Sequence, residues 1–145
     1  MAEKENNGSD KRPKVGVGAL VLRGDQALFG RRKGSHNPGV YGTQGGHLEY
    51  MESLETAVRR EITEEAGIEV ENIRFLCLTN FKVDGKHYVD IGFVANWKNG
   101  EPELREPDRC EKWDWHDLNK PPSPLMEVVA NYVEAYKTGR NYFDN

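Results

Sequence analysis

Residues 45–68, GGHLEYMESLETAVRREITEEAGI, set two glycines ahead of a segment bearing glutamates at 52, 61, 64 and 65. That is more negative charge than an ordinary surface needs, and it calls for a positive partner. On a helix turning about 100° per residue, Glu61 and Glu65 stand about 40° apart, one turn above the other, with Glu64 to one side. Like charges at that spacing repel and weaken the helix slightly. A divalent cation reverses the sign of that interaction, because carboxylate oxygens, waters and substrate phosphates are the ligands Mg²⁺ takes.

The element that must carry these glutamates is legible around them. Ser53 is placed to cap a helix start, Leu54, Val58 and Ile62 make an apolar stripe, and Gly67 suits a left-handed residue just past the helix end. The expectation is a helix anchored on one side and charged on the other.

The full pattern is Gly46, five residues, Glu52, seven residues, Arg60-Glu61, apolar Ile62, any residue, Glu64-Glu65, any residue, Gly67 and apolar Ile68. This resembles a complete Nudix box, and no required position is missing. Seven fixed identities and two apolar positions in one segment make the motif specific. The plain alternative is a solvated helix with EITEE as its charged face.

Composition bounds the rest. A chain of 145 residues suits one domain with a substantial core. Formal net charge is −4, from 20 basic and 24 acidic residues without a long basic run, which argues against duplex nucleic acid as a partner. A small anionic substrate stays compatible with that charge once a metal inverts the local field. The two cysteines, Cys77 and Cys110, have no zinc-like spacing and form no disulfide framework, which fits a reducing cytoplasm. Residues 1–13, MAEKENNGSDKRP, lack an apolar core and read as a disordered polar tail rather than a signal peptide; no run is long enough to span a membrane. The domain is expected over residues 14–145.

Along the chain, residues 14–22 should form a buried strand, turned by Arg23-Gly24-Asp25 into a second strand over 26–32. Gly16 and Gly18 weaken the first strand unless another backbone or helix packs close, and that packing is expected. Residues 33–40, KGSHNPGV, read as a mobile loop. Strands over 73–83 and 86–97 flank Asp84-Gly85, a hairpin signal. In the second, Val89, Ile91, Phe93, Ala95 and Trp97 predict one core face, and Tyr88, Asp90, Gly92 and Asn96 a partly polar one. A loop over 98–109 precedes a short strand over 111–116. Leu125, Val128, Val129, Tyr132, Val133 and Tyr136 recur at helical spacing, with Gly139 past the end. The pattern predicts an α/β fold (α+β by some schemes), and the resemblance implies the same: a Nudix α/β/α sandwich with a mixed central sheet.

Nudix enzymes hydrolyse a nucleoside diphosphate linked to another group, with water attacking phosphorus. By resemblance, Glu61 and Glu65 are the main metal ligands, Glu64 a further ligand or proton acceptor, and the Gly45 carbonyl completes the set around Mg²⁺, with Mn²⁺ as the alternative ion. Arg60 would orient the glutamates, and Glu52 would support the loop or ligate a further ion through water. Glu111 lies where several family members supply an extra ligand or base, with Glu106 as competitor and a plain surface charge as the alternative. Arg31 and Arg32 could clamp phosphate; alternation lets at most one reach the site, and Arg31 is preferred. His47 could donate to a phosphate with Gly46 beside it, or be satisfied by its loop. His87 and Tyr88 could meet a base or sugar, although Tyr88 is otherwise an ordinary sheet residue.

LFGRRKGS, GGHLE, HYVDI and EPDRCEKWDW resemble stretches of the MutT-like nucleotide pyrophosphatases, a group of enzymes acting on ordinary or oxidised nucleoside triphosphates and often homodimeric. The sequence departs from that group at Gln44, where proline is common, and at Met51, where glycine is common. Gln44 should loosen the turn and give the pocket another hydrogen-bonding group, and Met51 is strained if its φ is positive. The leading expectation is a Mg²⁺-dependent pyrophosphohydrolase converting a nucleoside triphosphate to monophosphate and pyrophosphate. Cleavage of a nucleotide sugar, ADP-ribose or dinucleotide is the second reading, and a non-catalytic metabolite-binding module the third.

Overall fold

The computed structural model of the chain describes residues 11–34 and 38–144. Most of the expected tail, and the middle of the expected loop over 33–40, lie outside the described residues.

Strands β1 (Lys14–Arg23) and β2 (Gln26–Arg32) form the expected hairpin, followed by the short β3 (Tyr41–Gly42) and β4 (Gln44–His47). Helix α1 (Leu54–Ala66) leads to the long hairpin β5 (Glu69–Val83) and β6 (Lys86–Asn99), then β7 (Cys110–Asp117), α2 (Glu127–Thr138) and β8 (Tyr142–Asp144). The sheet runs β3-β2-β1-β6-β5-β8, with β4 pairing β1 and β7 pairing β2. The β1–β6 and β5–β8 pairs are parallel and the others antiparallel, so the sheet is mixed. One helix covers each face: Ala57, Val58, Ile62 and Ala66 of α1 pack on Val17, Ala19, Val21 and Phe93, and Val129, Tyr132 and Val133 of α2 on Leu20, Phe29, Val94 and Phe143.

The division of β1 between two partners positions the site. Residues 16–19 of β1 pair with β4 (Gly16↔His47 to Ala19↔Gln44), and Leu22 and Arg23 pair with Ala27 and Gln26 of β2. The sheet therefore splits on one side of β1. Strands β2, β3 and β7 form one lip, and β4 the other.

Several details differ from the sequence reading. Leu54 is exposed, and Ala57 and Ala66 complete the buried stripe of α1. Tyr136 of α2 is likewise exposed and Ala135 takes the core position. Strand β5 begins at Glu69 rather than residue 73; register shifts between Glu69 and Val70 and between Glu71 and Arg74, with Asn72 at φ 55°, break the alternation a sequence pattern relies on. Strand β8, three residues on the sheet edge, is too short to leave a periodic signal. The second face of β6 is core as well: Val94 lies under α2, and Gly18 and Gly92 leave room for the Tyr132 ring, since a Cβ on Gly18 would stand 2.2 Å from the Tyr132 hydroxyl. Asp84 and Gly85 adopt φ 51° and 76°, the primed turn that dipeptide favours.

Candidate active site

Helix α1 begins as its sequence directs. Ser53 is extended (φ −74°, ψ 156°), and its Oγ accepts from the Thr56 N–H at 3.1 Å. Gly67 ends the helix at φ 68°, its N–H donating to the carbonyls of Ile62 and Thr63. The loop before it carries Met51 at φ 69°, a conformation costly for a side chain that is almost fully exposed and gains no packing.

The inward side of α1 presents Glu61 and Glu65 to the two glycines of β4. A Cβ on Gly46 would lie 2.2 Å from Glu61 Oε2, so the carboxylate rests where any other residue's side chain would begin. The Gly45 N–H donates to Glu65 Oε1 at 3.2 Å. Glu61 belongs to the buried set, so the helix is not divided into an apolar and a charged side: one carboxylate is part of the packed face. Burial pushes the Glu65 carboxyl up to about 9, with the neighbouring Glu61 adding to the effect and the Gly45 N–H opposing it.

Arg60 binds the remaining acids together. Its Nε and a terminal nitrogen grip Glu52 at 2.7 and 2.9 Å, a bidentate pair, while its other terminal nitrogen reaches Glu61 Oε2 at 2.9 Å and Glu64 Oε1 at 3.4 Å. It also donates to the His47 carbonyl at 3.2 Å, tying the loop to the helix. The Arg60 guanidinium, with the Glu49 N–H, holds the Glu52 carboxyl down to about 2.

These residues open onto a cavity of about 410 Å³ in the split of the sheet. Gly30, Arg32 and Gly42 line one lip and Thr43, Gly45, Gly46 and His47 the other; Arg60, Glu61, Glu64 and Glu65 stand on the helix side, with Glu106, Arg109, Cys110 and Trp113 opposite. The donor set is a hard one, carboxylates beside backbone, and the adjoining Glu61 and Glu65 carboxyls repel when both are ionised, a repulsion that a divalent cation would relieve; the residues fit such an ion. Among the described residues no three His, Cys, Asp or Glu side chains are gathered around one point, since Glu61 and Glu64 both turn to Arg60.

Two expected residues stand elsewhere. Gly30 and Arg32 share a face of β2 and line the cavity, whereas Arg31 alternates away and pairs with Glu111. Glu111 is not at the cavity, because the β2–β7 register passes from Arg31↔Lys112 to Arg32↔Cys110; the bulge skips Glu111 and turns its side chain to Arg31. Of the two competing acids it is Glu106 that lines the cavity. Gln44, expected to serve the pocket, is 1% exposed, faces inward opposite Ala19, and finds no partner for either side-chain atom. Tyr88 does not line this cavity but stacks on His47, which does, at 5.8 Å between ring centroids, with Phe81 on its other side at 5.7 Å. His87 hydrogen-bonds Asn80. Arg109, Cys110 and Trp113 lie in the EPDRCEKWDW stretch, whose resemblance gave none of the three a role; their place in β7 and its approach brings them to the cavity.

A family profile described as NUDIX domain matches residues 12–136. The NAD-capped RNA hydrolase NudC of Pseudomonas aeruginosa is 36% identical over 124 residues, 84% of this chain and 43% of that protein. NudC of Stutzerimonas stutzeri is 33% identical over 123 residues. The chain thus spans 43% of the length of these curated relatives. A MutT NUDIX hydrolase from Burkholderia pseudomallei superposes with a TM-score of 0.81 at 36% identity, covering 86% of this chain and 98% of that one. A NUDIX hydrolase from Nitrosomonas europaea shares the fold at TM-score 0.77 and 21% identity, covering 90% and 93%.

Proposed function

We propose that this chain, which belongs to the Nudix hydrolase family, hydrolyses a nucleoside triphosphate to nucleoside monophosphate and pyrophosphate with Mg²⁺ as its metal. The observation that carries the reading is the seating of Glu61 and Glu65 against Gly46 and Gly45, with Arg60 fastening the same loop and helix.

Each residue's task follows from its surroundings. A divalent cation held by Glu61, Glu64 and Glu65 with the Gly45 carbonyl would neutralise phosphate oxygens and lower the pKa of a bound water. Gly46 keeps the space that Glu61 occupies, and the Gly45 N–H fixes Glu65. Arg60 holds Glu52, Glu61 and Glu64 in one arrangement, so their separation is set before substrate arrives. Glu64, with its side chain about half exposed, is the carboxylate best placed to accept the proton of the attacking water. Water adds to phosphorus as the anhydride P–O bond breaks, and Arg32 and Arg109 on the opposite wall offer positive charge to the phosphate oxygens. His47 and Tyr88 would take the nucleoside end, where their stacked rings offer an aromatic surface. Glu106 replaces Glu111 as the candidate further ligand or base. The proposal includes a single catalytic domain over residues 14–145, acting as a homodimer in the cytoplasm on a small nucleotide.

A second reading, cleavage of a dinucleotide or nucleotide sugar, is favoured by the name of the NudC relatives, which act on NAD-capped RNA. It uses the same anhydride chemistry with a different leaving group. Among the described residues no helix is long and apolar enough to cross a membrane.

The test is pyrophosphate and phosphate release from nucleoside triphosphates, oxidised nucleotides, NAD, ADP-ribose and nucleotide sugars, with Mg²⁺ and with chelator. Pyrophosphate release from triphosphates that vanishes in chelator is the expected result. Cleavage confined to NAD and its analogues selects the second reading. Glu65→Gln should lower kcat by at least about a hundredfold while the protein folds; a fully active variant overturns the site assignment.

A further inference from the structure

The last turn of α1 carries the carboxylates, yet the final carbonyls of a helix have no partner within it. In this chain three of the last four, on Thr63, Glu65 and Ala66, have partners from beyond the helix. Gly67 N–H and the Arg105 guanidinium both reach the Thr63 carbonyl at 3.1 Å, and Glu103 N–H reaches that of Ala66 at 2.8 Å. The Glu65 carbonyl is taken by a different part of the molecule: the Trp113 indole N–H donates to it at 3.1 Å.

Trp113 belongs to β7, on the far lip of the split sheet, while α1 rests on the near part. The indole therefore spans the cleft at the cavity wall. Its seat is shaped for it. Trp113 pairs with Gly30 of β2, and a Cβ at Gly30 would stand 2.6 and 2.7 Å from two ring carbons, so only glycine lets the ring lie flat enough to reach the helix. Glu65 is thus held at both ends, its carboxylate by Gly45 N–H from β4 and its backbone by Trp113 from β7. One residue is gripped by both lips.

We infer that Trp113 is a positioning residue that fixes Glu65, and with it the last turn of α1, at the depth where its carboxylate serves a divalent cation. The inference rests on the reading of Glu65 as a metal-binding carboxylate. It assigns the indole N–H a purpose beyond packing: removing that one donor frees the Glu65 carbonyl without touching any carboxylate.

The experiment compares wild type, Trp113→Phe, a protein with benzothienylalanine at 113, and Glu65→Gln. The benzothienyl group keeps the bicyclic shape and replaces N–H with sulfur, so it decides the matter if the phenylalanine variant fails to fold. Mn²⁺ binding is read by electron paramagnetic resonance, melting temperature in chelator, and turnover as a function of Mg²⁺. Both position-113 proteins should bind Mn²⁺ about tenfold more weakly and need correspondingly more Mg²⁺ for half-maximal turnover, with kcat recovering at saturating Mg²⁺. A lower melting temperature with wild-type Mn²⁺ affinity and Mg²⁺ requirement would make Trp113 a packing residue only and overturn the inference. Unchanged behaviour in every readout overturns it too. Wild-type Mn²⁺ binding and turnover in Glu65→Gln would instead remove the carboxylate assignment itself, a failure visible without reference to Trp113.

Discussion

Glu65 on α1 and Asp90 under α2 are half-buried carboxylates on opposite faces of one sheet, and loss of solvent pushes both up, Glu65 to about 9 and Asp90 to about 6. Their surroundings differ. Asp90 accepts a 2.5 Å hydrogen bond from the Tyr132 hydroxyl, which opposes the rise, and the Tyr132 ring fills the space left by Gly18 and Gly92. Glu65 has a like-charged neighbour in Glu61, a single backbone donor, and a cavity in front of it. Both acids lie among glycines that clear the way for something bulky, but on the α2 face the bulk is a phenol from the protein and on the α1 face it is a second carboxylate. A neutral donor closes the first arrangement. The second has no neutral donor to close it, and under the proposed function a cation would take that place, which would separate a structural acid from a functional one.

The sharpest way to break that contrast is a matched pair of glycine substitutions. Gly46→Ala and Gly18→Ala each introduce a Cβ 2.2 Å from a functional oxygen, Glu61 Oε2 in one and the Tyr132 hydroxyl in the other. Gly46→Ala should cut turnover by at least about a hundredfold, with a raised Mg²⁺ requirement, because Glu61 must move. Gly18→Ala should cost about 1–3 kcal/mol of stability through overpacking and leave the Mg²⁺ requirement as in wild type. Denaturant titration and metal-dependent kinetics on both proteins check this; equal losses of metal affinity would show that the two faces are not separate.

Tyr132→Phe sharpens the α2 side. It leaves the half-buried Asp90 carboxylate without its Tyr132 donor and should destabilise by about 1–3 kcal/mol, measured by urea unfolding, while Mg²⁺ activation is unchanged.

A last contrast is in the pH dependence of melting, measured in chelator. A carboxyl whose folded pKa is raised contributes stability that is full below its unfolded pKa and is lost as pH rises through the folded one. Asp90 should therefore contribute a decline between about pH 4 and 6, and Asp90→Asn should abolish that part alone. The longer decline from Glu65, which continues toward pH 9, should persist in Asp90→Asn and disappear in Glu65→Gln.

The α1 face was the legible one. Ser53, Gly67 and the spacing of Glu61, Glu64 and Glu65 act within a few residues of one another, and the helix appears with the expected cap, stop and carboxylates. The α2 face gave less. Asp90 read as one residue of a partly polar strand face, because its partner Tyr132 lies 42 positions away and read as core. For the arginines and the outlying acids the structure departs from the expected preference: Arg32 and Glu106 line the cavity, Arg31 alternates to the other face, and a bulge that changes the residue count turns Glu111 to Arg31.

Local patterning thus determined by itself the order of the longer strands and the two helices, the family's motif, the glycine loop and the identity of the acids in it, since each rests on hydrogen bonds and periodicities of short range. The tertiary structure alone decided which faces those acids meet. Where β1 changes partner from β4 to β2, the sheet opens and the cavity forms; which arginine lines it, and that Trp113 reaches across to Glu65, follow from strand register between segments 48 or more positions apart. Register between distant strands is set by the packing of both faces at once, and no short window of sequence contains it.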